Sequence, residues 1–220
     1  MANVNELAVM AGCDKVPGTQ GCPIDATADG IVAEPTKFAP LCDQVIADDA
    51  VAKLRIAASM LNKTGRPFFL ASGFRKPHMP WRFPKPYAAN YPAAADIVIA
   101  KHPVMDASVP PIAHHTPDLS SMNGGDPYVP MAKTLAQHDR LYYYGSVSWT
   151  DSRVGLVLDE LDALGLTPTT LVVMHSDHGW ALGEHGQWQK FNNWEVRRVY
   201  RIDFSYDCWP LFRDCSPRIV

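Results

Sequence analysis

The 220-residue sequence contains no long apolar run and no large excess of either charge. Without about 18 consecutive apolar residues, it predicts no segment that spans a membrane. Twenty basic residues stand against 23 acidic ones, a net charge of −3, so the overall charge does not favour binding to nucleic acid. The first ten residues, Met1 to Met10, have no basic stretch ahead of an apolar core. We therefore expect no signal peptide there.

Zinc motifs are also missing. No two of the five cysteines are spaced as C-x-x-C, and no H-E-x-x-H occurs, which argues against zinc-binding modules and zinc proteases. Cys13 and Cys22 bracket the turn-rich stretch DKVPGTQG. They form either a disulfide or two free thiols, because spacing alone does not fix cysteine pairing. Three cysteines stay unassigned: Cys42, Cys208 and Cys215.

What the sequence does contain is an alternation of helix and strand patterns. Residues 45–63 and 131–167 carry apolar stripes at helical spacing. We expect Gly65-Arg66-Pro67 to end the first helix, and we expect the second helix to break near Gly145 and to end at Gly165. Phe68 to Ala71 and Thr169 to Met174 are short apolar runs typical of buried parallel strands. The order predicts an α/β fold with a parallel sheet.

Ten of the nineteen prolines fall within residues 80–130. Proline removes a backbone donor and fixes φ, so this density predicts a long segment with little regular structure. Loops of that length inside a compact domain are usually functional or disordered. Trp81 and Phe83, at its start, would either pack over the loop or stack on a ligand ring.

Titratable residues follow the second predicted strand. His175-Ser176-Asp177-His178-Gly179 comes directly after it, and Glu184, His185 and Lys190 follow within twelve residues of His178. Ligands of open α/β sheets bind outside the carboxyl ends of strands, so Asp177 lies where a metal or a substrate is expected. The alternative is a polar loop whose histidines form only local hydrogen bonds.

The first predicted strand runs into a basic segment. Gly73 to Trp81 reads GFRKPHMPW, and residues 66–101 hold six basic residues against one aspartate. That concentration favours an anionic ligand, although a solvated basic loop is the alternative. If Lys76 and His78 share a sheet edge with Asp177 and His178, a cation and basic groups would surround an oxyanion. This combination suits hydrolysis of a phosphate or sulfate ester.

Three blocks of the sequence resemble the sulfatases of the alkaline-phosphatase superfamily. They are PFFLASGFRKPHMPW from Pro67, YYGSVSWTDSRVGLVLDELDALG from Tyr143, and TLVVMHSDHGWALGEHGQWQK from Thr170. The pattern S-D-H-G-x-x-L-G-E-H-G-x-W-x-K is highly specific, and K-P-H-x-P narrows the match to a branch that acts on sulfated uronic acids. The resemblance covers about residues 10–196 and matches the proline-rich segment poorly.

The resemblance implies a set of functional residues. Asp177 and His178 match a calcium-binding pair, and Asp177 is the stronger candidate because calcium prefers oxygen ligands. His78 and Lys190 match catalytic residues at the sulfate, and the substrate-binding set adds Lys76 and Trp180. Cys13 and Cys22 match a family disulfide. The family further implies an α/β/α sandwich with a mostly parallel sheet, here incomplete, a sulfated sugar or glycan as substrate, and a lysosomal or secreted enzyme.

The sequence departs from the family in two places. The formylglycine nucleophile of the family comes from a C-x-P-S-R motif near the N-terminus, and that motif is absent; Cys215-Ser216-Pro217-Arg218 has its arginine one residue too early. From residue 197 the chain no longer follows the family. We therefore expect residues 1–196 to be the central part of a catalytic domain and 197–220 a divergent tail. A non-catalytic chain that binds metal or anionic sugars, and a phosphodiesterase or phosphonate hydrolase, are the alternatives.

Overall fold

The computed structural model describes residues 10–11, 30–32, 41–79, 81–110, 113, 126–190 and 201–204. Its two α-helices are α1 (Cys42–Thr64) and α2 (Lys133–Ala163). Its strands are β1 (Met10–Ala11), β2 (Gly30–Val32), β3 (Ala71–Ser72), β4 (Arg82–Pro84), β5 (Val172–His175), β6 (Ala181–Leu182), β7 (Trp188–Gln189) and β8 (Arg201–Phe204). The chain divides into two compact units, residues 1–92 with 141–167, and residues 93–140 with 168–220. Neither helix of the described residues is long and apolar enough to cross a membrane.

Helix α1 confirms the helix predicted over residues 45–63. Its buried face includes Ile46, Ala50, Leu54 and Ala57, spaced by three or four residues as one face of a helix requires. The helix ends at Gly65, whose N–H donates to the Leu61 carbonyl over 2.8 Å. The break predicted at this glycine is therefore confirmed.

Helix α2 confirms the second predicted helix, but the break predicted near Gly145 is wrong. The helix runs without interruption from Lys133 to Ala163. A Cβ atom at position 145 would lie 2.3 Å from the ring of Phe83, so glycine here lets the aromatic ring approach the helix backbone. At the other end, the Gly165 N–H donates to the Asp162 carbonyl over 2.8 Å, where the helix was predicted to stop.

The core of the first unit is aromatic. Leu41, Phe83 and Trp149 are buried together, and Tyr87 meets Trp149 edge to face at 5.2 Å between ring centroids. The guanidinium of Arg153 lies 4.1 Å from the centroid of the Trp149 ring, within cation–π range. Segment 81–87 is thereby fixed against α2, directly after the K-P-H-x-P sequence.

The strand predicted over Phe68 to Ala71 lies slightly further along the chain. Strand β3 pairs in parallel with β1, as a parallel sheet requires, and β4 pairs in parallel with β2. Phe69, however, is 61% exposed, so the prediction of a buried strand is wrong at that residue. Among the described residues β3 has one neighbouring strand, and a parallel strand is buried only when layers cover both of its faces.

The strand predicted over Thr169 to Met174 is observed as β5, from Val172 to His175. It pairs antiparallel with β8, and Leu171 just before it is 77% exposed, so the predicted buried parallel strand is wrong in both respects. Antiparallel pairs tolerate solvent on one face, which is consistent with this exposure. The four described strand pairs are two parallel and two antiparallel, and the three-layer sandwich stays a prediction.

The proline-rich segment 80–130 follows its prediction over most of its described length. Strand β4 and two short 3₁₀ turns, at residues 85–90 and 94–96, are the regular structure assigned there. Cys42, unassigned from the sequence, is disulfide-bonded. Cys13 and Cys22 also lie outside the described residues, and their pairing stays a prediction.

Candidate active site

Residues 75–78, here called the basic loop, follow β3 and contain the predicted site residues Lys76 and His78. The loop closes as a turn in which the His78 N–H donates to the Arg75 carbonyl over 3.0 Å. The side chain of Lys76 is buried, and its ammonium donates to the His78 carbonyl over 3.2 Å. The structure therefore joins Lys76 and His78, with the lysine supporting the backbone that carries the histidine.

Asp43, in the first turn of α1, is a site residue that the sequence analysis missed. It is 1% exposed and accepts hydrogen bonds from the backbone N–H groups of Arg75 at 2.7 Å and Lys76 at 3.1 Å. The hydroxyl of Thr150, on α2, donates to the same carboxylate over 3.2 Å. No spacing signal marks Asp43, because the atoms it binds are distant in sequence.

The charge of Asp43 is under opposing influences. Burial raises the pKa of the Asp43 carboxyl above its ordinary value, and this effect exceeds the lowering by the Arg75 and Lys76 N–H groups, by the Lys76 charge and by the Thr150 hydroxyl. The carboxylate is therefore costly to keep ionised and is compensated mainly by the basic loop.

The His78 side chain is exposed, and its backbone carbonyl accepts a hydrogen bond from the buried Lys76 ammonium. Its Nδ1 lies 2.5 Å from the Met79 carbonyl oxygen, which can only accept a hydrogen bond. The proton of a neutral imidazole is therefore assigned to Nδ1, and Nε2 is the atom that would accept or return a proton. This geometry suits protonation of a leaving group.

Trp81 and Phe83 pack in the interior and do not present their rings to a ligand. Both are buried, and the indole N–H of Trp81 donates to the Pro77 carbonyl over 2.9 Å. Tyr143 meets Trp81 edge to face at 6.2 Å. These contacts secure the C-terminal side of the basic loop.

In the second unit, residues 176–179, here called the Asp177 segment, follow β5. The Asp177 side chain is 85% exposed. Its Oδ1 accepts from the His178 N–H at 3.0 Å, and its Oδ2 lies 3.5 Å from His178 Nε2. The His178 Nδ1 lies 2.8 Å from the Gly179 carbonyl oxygen, to which it donates, and Nε2 faces the carboxylate. The structure therefore brings Asp177 and His178 together.

The calcium that the resemblance implies needs more donors than this pair. Calcium takes six to eight oxygen ligands, whereas Asp177 supplies carboxylate oxygens and His178 a nitrogen. Within the described residues, no three His, Cys, Asp or Glu side chains are grouped so that they would hold a metal ion. Asp177 fits as one calcium ligand, and the described residues do not complete the site.

The hairpin of β6 and β7 follows the Asp177 segment and is anchored from α2. Buried Arg140 donates to the carbonyl oxygens of Leu182 at 2.9 Å and Val98 at 2.6 Å, and it pairs with the Glu184 carboxylate. Glu184 also accepts from the Leu182 N–H over 2.6 Å. The glutamate of G-E-H-G thus serves the hairpin, as a structural residue.

The second glycine of G-E-H-G is required by a close approach. Gly186 has φ +70°, and a Cβ atom there would lie 2.1 Å from the Pro127 carbonyl oxygen. His185, before it, donates its N–H to the His102 carbonyl over 2.6 Å, and the two imidazole rings stack at 5.8 Å. The proline-rich segment is therefore bound to the hairpin loop.

The remaining predicted site residues flank this hairpin. Trp180 precedes β6 and Lys190 follows β7, and both are half-buried. Lys76 and His78 belong to the first compact unit, whereas Asp177, His178, Trp180 and Lys190 belong to the second.

A cavity of about 280 Å³ also lies in the second unit. Its lining is mainly apolar and includes Ile99, Met131, Leu182 and Trp188, with Lys133 as its charged residue. None of the predicted site residues lines it, so this cavity is not the predicted sulfate site.

Comparison with known proteins identifies the family. The sulfatase family profile matches residues 5–201. The chain belongs to the sulfatase family. This result confirms the resemblance carried by the three sequence blocks, all of which lie within the matched residues.

Two relatives of this sulfatase chain are iduronate 2-sulfatases. It is 38% identical to the Mus musculus enzyme over 182 residues, which are 80% of this chain and 31% of the relative. It is also 38% identical to the Homo sapiens enzyme over 143 residues, which are 62% of this chain and 26% of the relative. The chain thus spans between a quarter and a third of the length of these curated relatives.

A solved structure shares the fold. A phosphonate monoester hydrolase from Silicibacter pomeroyi superposes with a TM-score of 0.51 at 19% identity, over 86% of this chain and 40% of that one. The similarity supports the predicted superfamily fold and carries no information about the substrate.

Proposed function

We propose that the full-length protein hydrolyses sulfate esters on uronic acid residues of sulfated glycans. The observation that carries this is the 38% identity to iduronate 2-sulfatase over 80% of the chain. The sulfatase family match over residues 5–201 includes both the K-P-H-x-P and the S-D-H-G block. The arrangement of the basic loop supports it, because an exposed imidazole stands on a fixed backbone beside a buried ammonium. Such a loop suits a substrate with a sulfate oxyanion.

The proposed roles follow the chemistry of each side chain. His78 protonates the departing sugar oxygen through Nε2, and Lys190 stabilises charge on the sulfate. Trp180 contacts the sugar. Lys76 contributes positive charge and supports the His78 carbonyl, a more indirect role than the direct contact implied by the resemblance.

Two groups that the described residues do not supply complete the proposal: formylglycine as nucleophile, and calcium, held in part by Asp177, to polarise the ester oxygens. His178 then serves either the metal or the sulfate. Within the whole enzyme, residues 1–196 would form the central part of an α/β/α catalytic domain, with 197–220 a divergent tail and with the family disulfide between Cys13 and Cys22.

The setting proposed for the enzyme is a lysosome or the exterior of the cell, with a sulfated glycan as its partner. Neither nucleic acid nor a membrane is part of the proposal. Two features of the sequence motivate this setting. One is the family resemblance, and the other is the N-glycosylation acceptor Asn62-Lys63-Thr64, which lies at the exposed end of α1.

The test uses a full-length version that includes a C-x-P-S-R motif, with a fluorogenic sulfate ester of iduronic acid as substrate. We expect turnover, and we expect His78→Ala and Lys190→Ala each to lower kcat/KM by about 100-fold or more. Ala95→Ser, at an exposed site, is the control. Turnover of a phosphonate monoester in preference to the sulfate ester would overturn the proposal in favour of a phosphonate hydrolase.

A second candidate concerns the 220-residue chain alone. It has no C-x-P-S-R motif, so we propose that it is non-catalytic and retains only binding to metal or anionic sugars. The same fluorogenic assay with calcium present should give no turnover above background. Turnover that disappears on Lys190→Ala would refute this candidate.

A further inference from the structure

Asp43 has no role in the proposed chemistry, yet it binds the backbone of two of the four residues of the basic loop. Both of its oxygens are used: Oδ1 accepts from the Arg75 N–H, and Oδ2 accepts from the Lys76 N–H and the Thr150 hydroxyl. It lies beneath the loop and is 1% exposed, so it does not itself meet a substrate.

The contact continues from Asp43 to the predicted site residues. The same Thr150 hydroxyl lies 3.3 Å from the Lys76 carbonyl oxygen, so its one proton is shared between that oxygen and Asp43 Oδ2. Lys76 is thus contacted at both its N–H and its C=O. Lys76 in turn donates to the His78 carbonyl, and His78 donates to the Arg75 carbonyl. Two consecutive hydrogen bonds therefore lead from the buried carboxylate to His78 through Lys76, and two more do so through Arg75.

A carboxylate is the side chain that these donors require. Two N–H groups and one hydroxyl converge on it, and an ionised carboxylate offers acceptors only. An asparagine at position 43 would place its NH₂ against one of the donors and leave that group buried and unpaired. The location of Asp43 in the first turn of α1 further favours a negative charge.

We propose that Asp43 is a positioning residue, which fixes the backbone of the basic loop so that His78, supported by Lys76, is preformed for the oxyanion of the substrate. The inference rests on the proposed function. It adds that the site depends on a residue outside its sequence motifs.

The test uses the ¹⁵N-labelled 220-residue chain, with inorganic sulfate as the probe. NMR follows amide hydrogen exchange at Arg75 and Lys76, with the Leu54 amide of α1 as internal reference, and the His78 ring resonances report sulfate binding. Asp43→Asn is compared with Asp48→Asn, the same change at an exposed aspartate of the same helix. The Asp48 carboxylate accepts a hydrogen bond from the Gln44 side-chain amide, and the amide oxygen of an asparagine can accept that bond equally well.

We expect Asp43→Asn to accelerate exchange at Arg75 and Lys76 at least 10-fold relative to Leu54 and to weaken sulfate binding at least 5-fold. Asp48→Asn should change neither. Unchanged exchange at both amides in a folded Asp43→Asn variant overturns the proposal, and so does accelerated exchange with unchanged sulfate affinity. If Asp43→Asn does not fold, Thr150→Val decides. It should accelerate exchange at Lys76 at least 3-fold, and unchanged exchange there overturns the proposal.

The proposed function fails in a different way. If sulfate does not shift the His78 resonances of the wild-type chain, or if the shift persists in Lys76→Ala, the sulfate site is contradicted. The exchange measurement then decides by itself whether Asp43 fixes the loop.

Discussion

Asp43 and Asp177 are two aspartates next to predicted site residues, and their surroundings are opposite. Asp43 is buried and accepts three hydrogen bonds from residues on two other segments. Asp177 projects into solvent, and in the described part of the chain the side-chain hydrogen bonds of its segment stay within residues 176–179. The basic loop is thus fixed from outside, and the Asp177 segment is fixed by its immediate neighbours.

The difference indicates that Asp43 supports a loop, whereas Asp177 is accessible to a ligand. A buried carboxylate with distant partners holds a loop in one conformation but is not accessible to a substrate. An exposed carboxylate is accessible and is held only by local contacts, so its geometry depends on whatever ligand it binds. The prominent S-D-H-G motif contains the second kind of residue, and the first kind lies in a helix with no recognisable motif.

The largest expected effect tests whether the hairpin of β6 and β7 is held by a residue distant in sequence, as the basic loop is held by Asp43. Arg140→Met removes a buried cation and leaves the Leu182 and Val98 carbonyls without that donor. We expect a loss of about 3 kcal/mol in the free energy of unfolding, measured with urea, since breaking a buried ion pair costs about 3–5 kcal/mol and Glu184 is partly exposed. Lys133→Met, exposed on the same helix, should stay within about 0.5 kcal/mol. If Arg140→Met and Lys133→Met lowered the free energy of unfolding equally, Arg140 would not be stabilising the hairpin.

A matched pair of glycine substitutions sharpens the same contrast. Gly186→Ala should destabilise the chain by about 2–4 kcal/mol, because the left-handed backbone is strained for alanine and the new Cβ atom meets the Pro127 carbonyl. Gly155→Ala, within α2 and with nothing near the new Cβ atom, should stabilise it by about 0.5–1 kcal/mol. Thermal unfolding of both variants measures this, and a stable Gly186→Ala variant would contradict the close approach.

The pH dependence of stability tests the burial of Asp43. Its pKa is raised in the folded state, so between the ordinary value near 3.8 and the raised value the folded chain binds more protons than the unfolded chain. Stability from this group is therefore present at low pH and is lost as pH rises through that window. The free energy of unfolding of the wild type minus that of Asp43→Asn should fall with rising pH. A difference that grows would show that the loop donors outweigh burial.

The smallest expected effect belongs to Asp177. Asp177→Asn should change the free energy of unfolding by less than about 0.5 kcal/mol, because the side chain is exposed and its bonds are local. Calorimetry should also find calcium binding to the isolated chain weaker than about 1 μM, the range of sensor sites, for lack of enough oxygen ligands. Micromolar or tighter binding that Asp177→Asn abolishes would show a complete metal site.

The sequence predicted well those features that depend on near neighbours. Helices α1 and α2 follow from apolar spacing of three and four residues, and both end at the predicted glycines. Gly145 was misread as a break because its reason is the Phe83 ring, which is 62 positions away. The parallel pairing of β3 was predicted correctly, whereas the partner of β5 was not, since an apolar run contains no information about strand direction.

For the site, the sequence by itself determined which groups are available: the lysine and histidine of K-P-H-x-P, the aspartate and histidine of S-D-H-G, and the family to which these motifs belong. Tertiary structure decided what each does locally. It buried Lys76 beneath His78, left Asp177 exposed, and brought Asp43 to amides 32 and 33 positions away and to a hydroxyl 107 positions away. Spacing reveals residues that act together within a turn or a strand, but a buried carboxylate is recruited by donors that only folding brings to it.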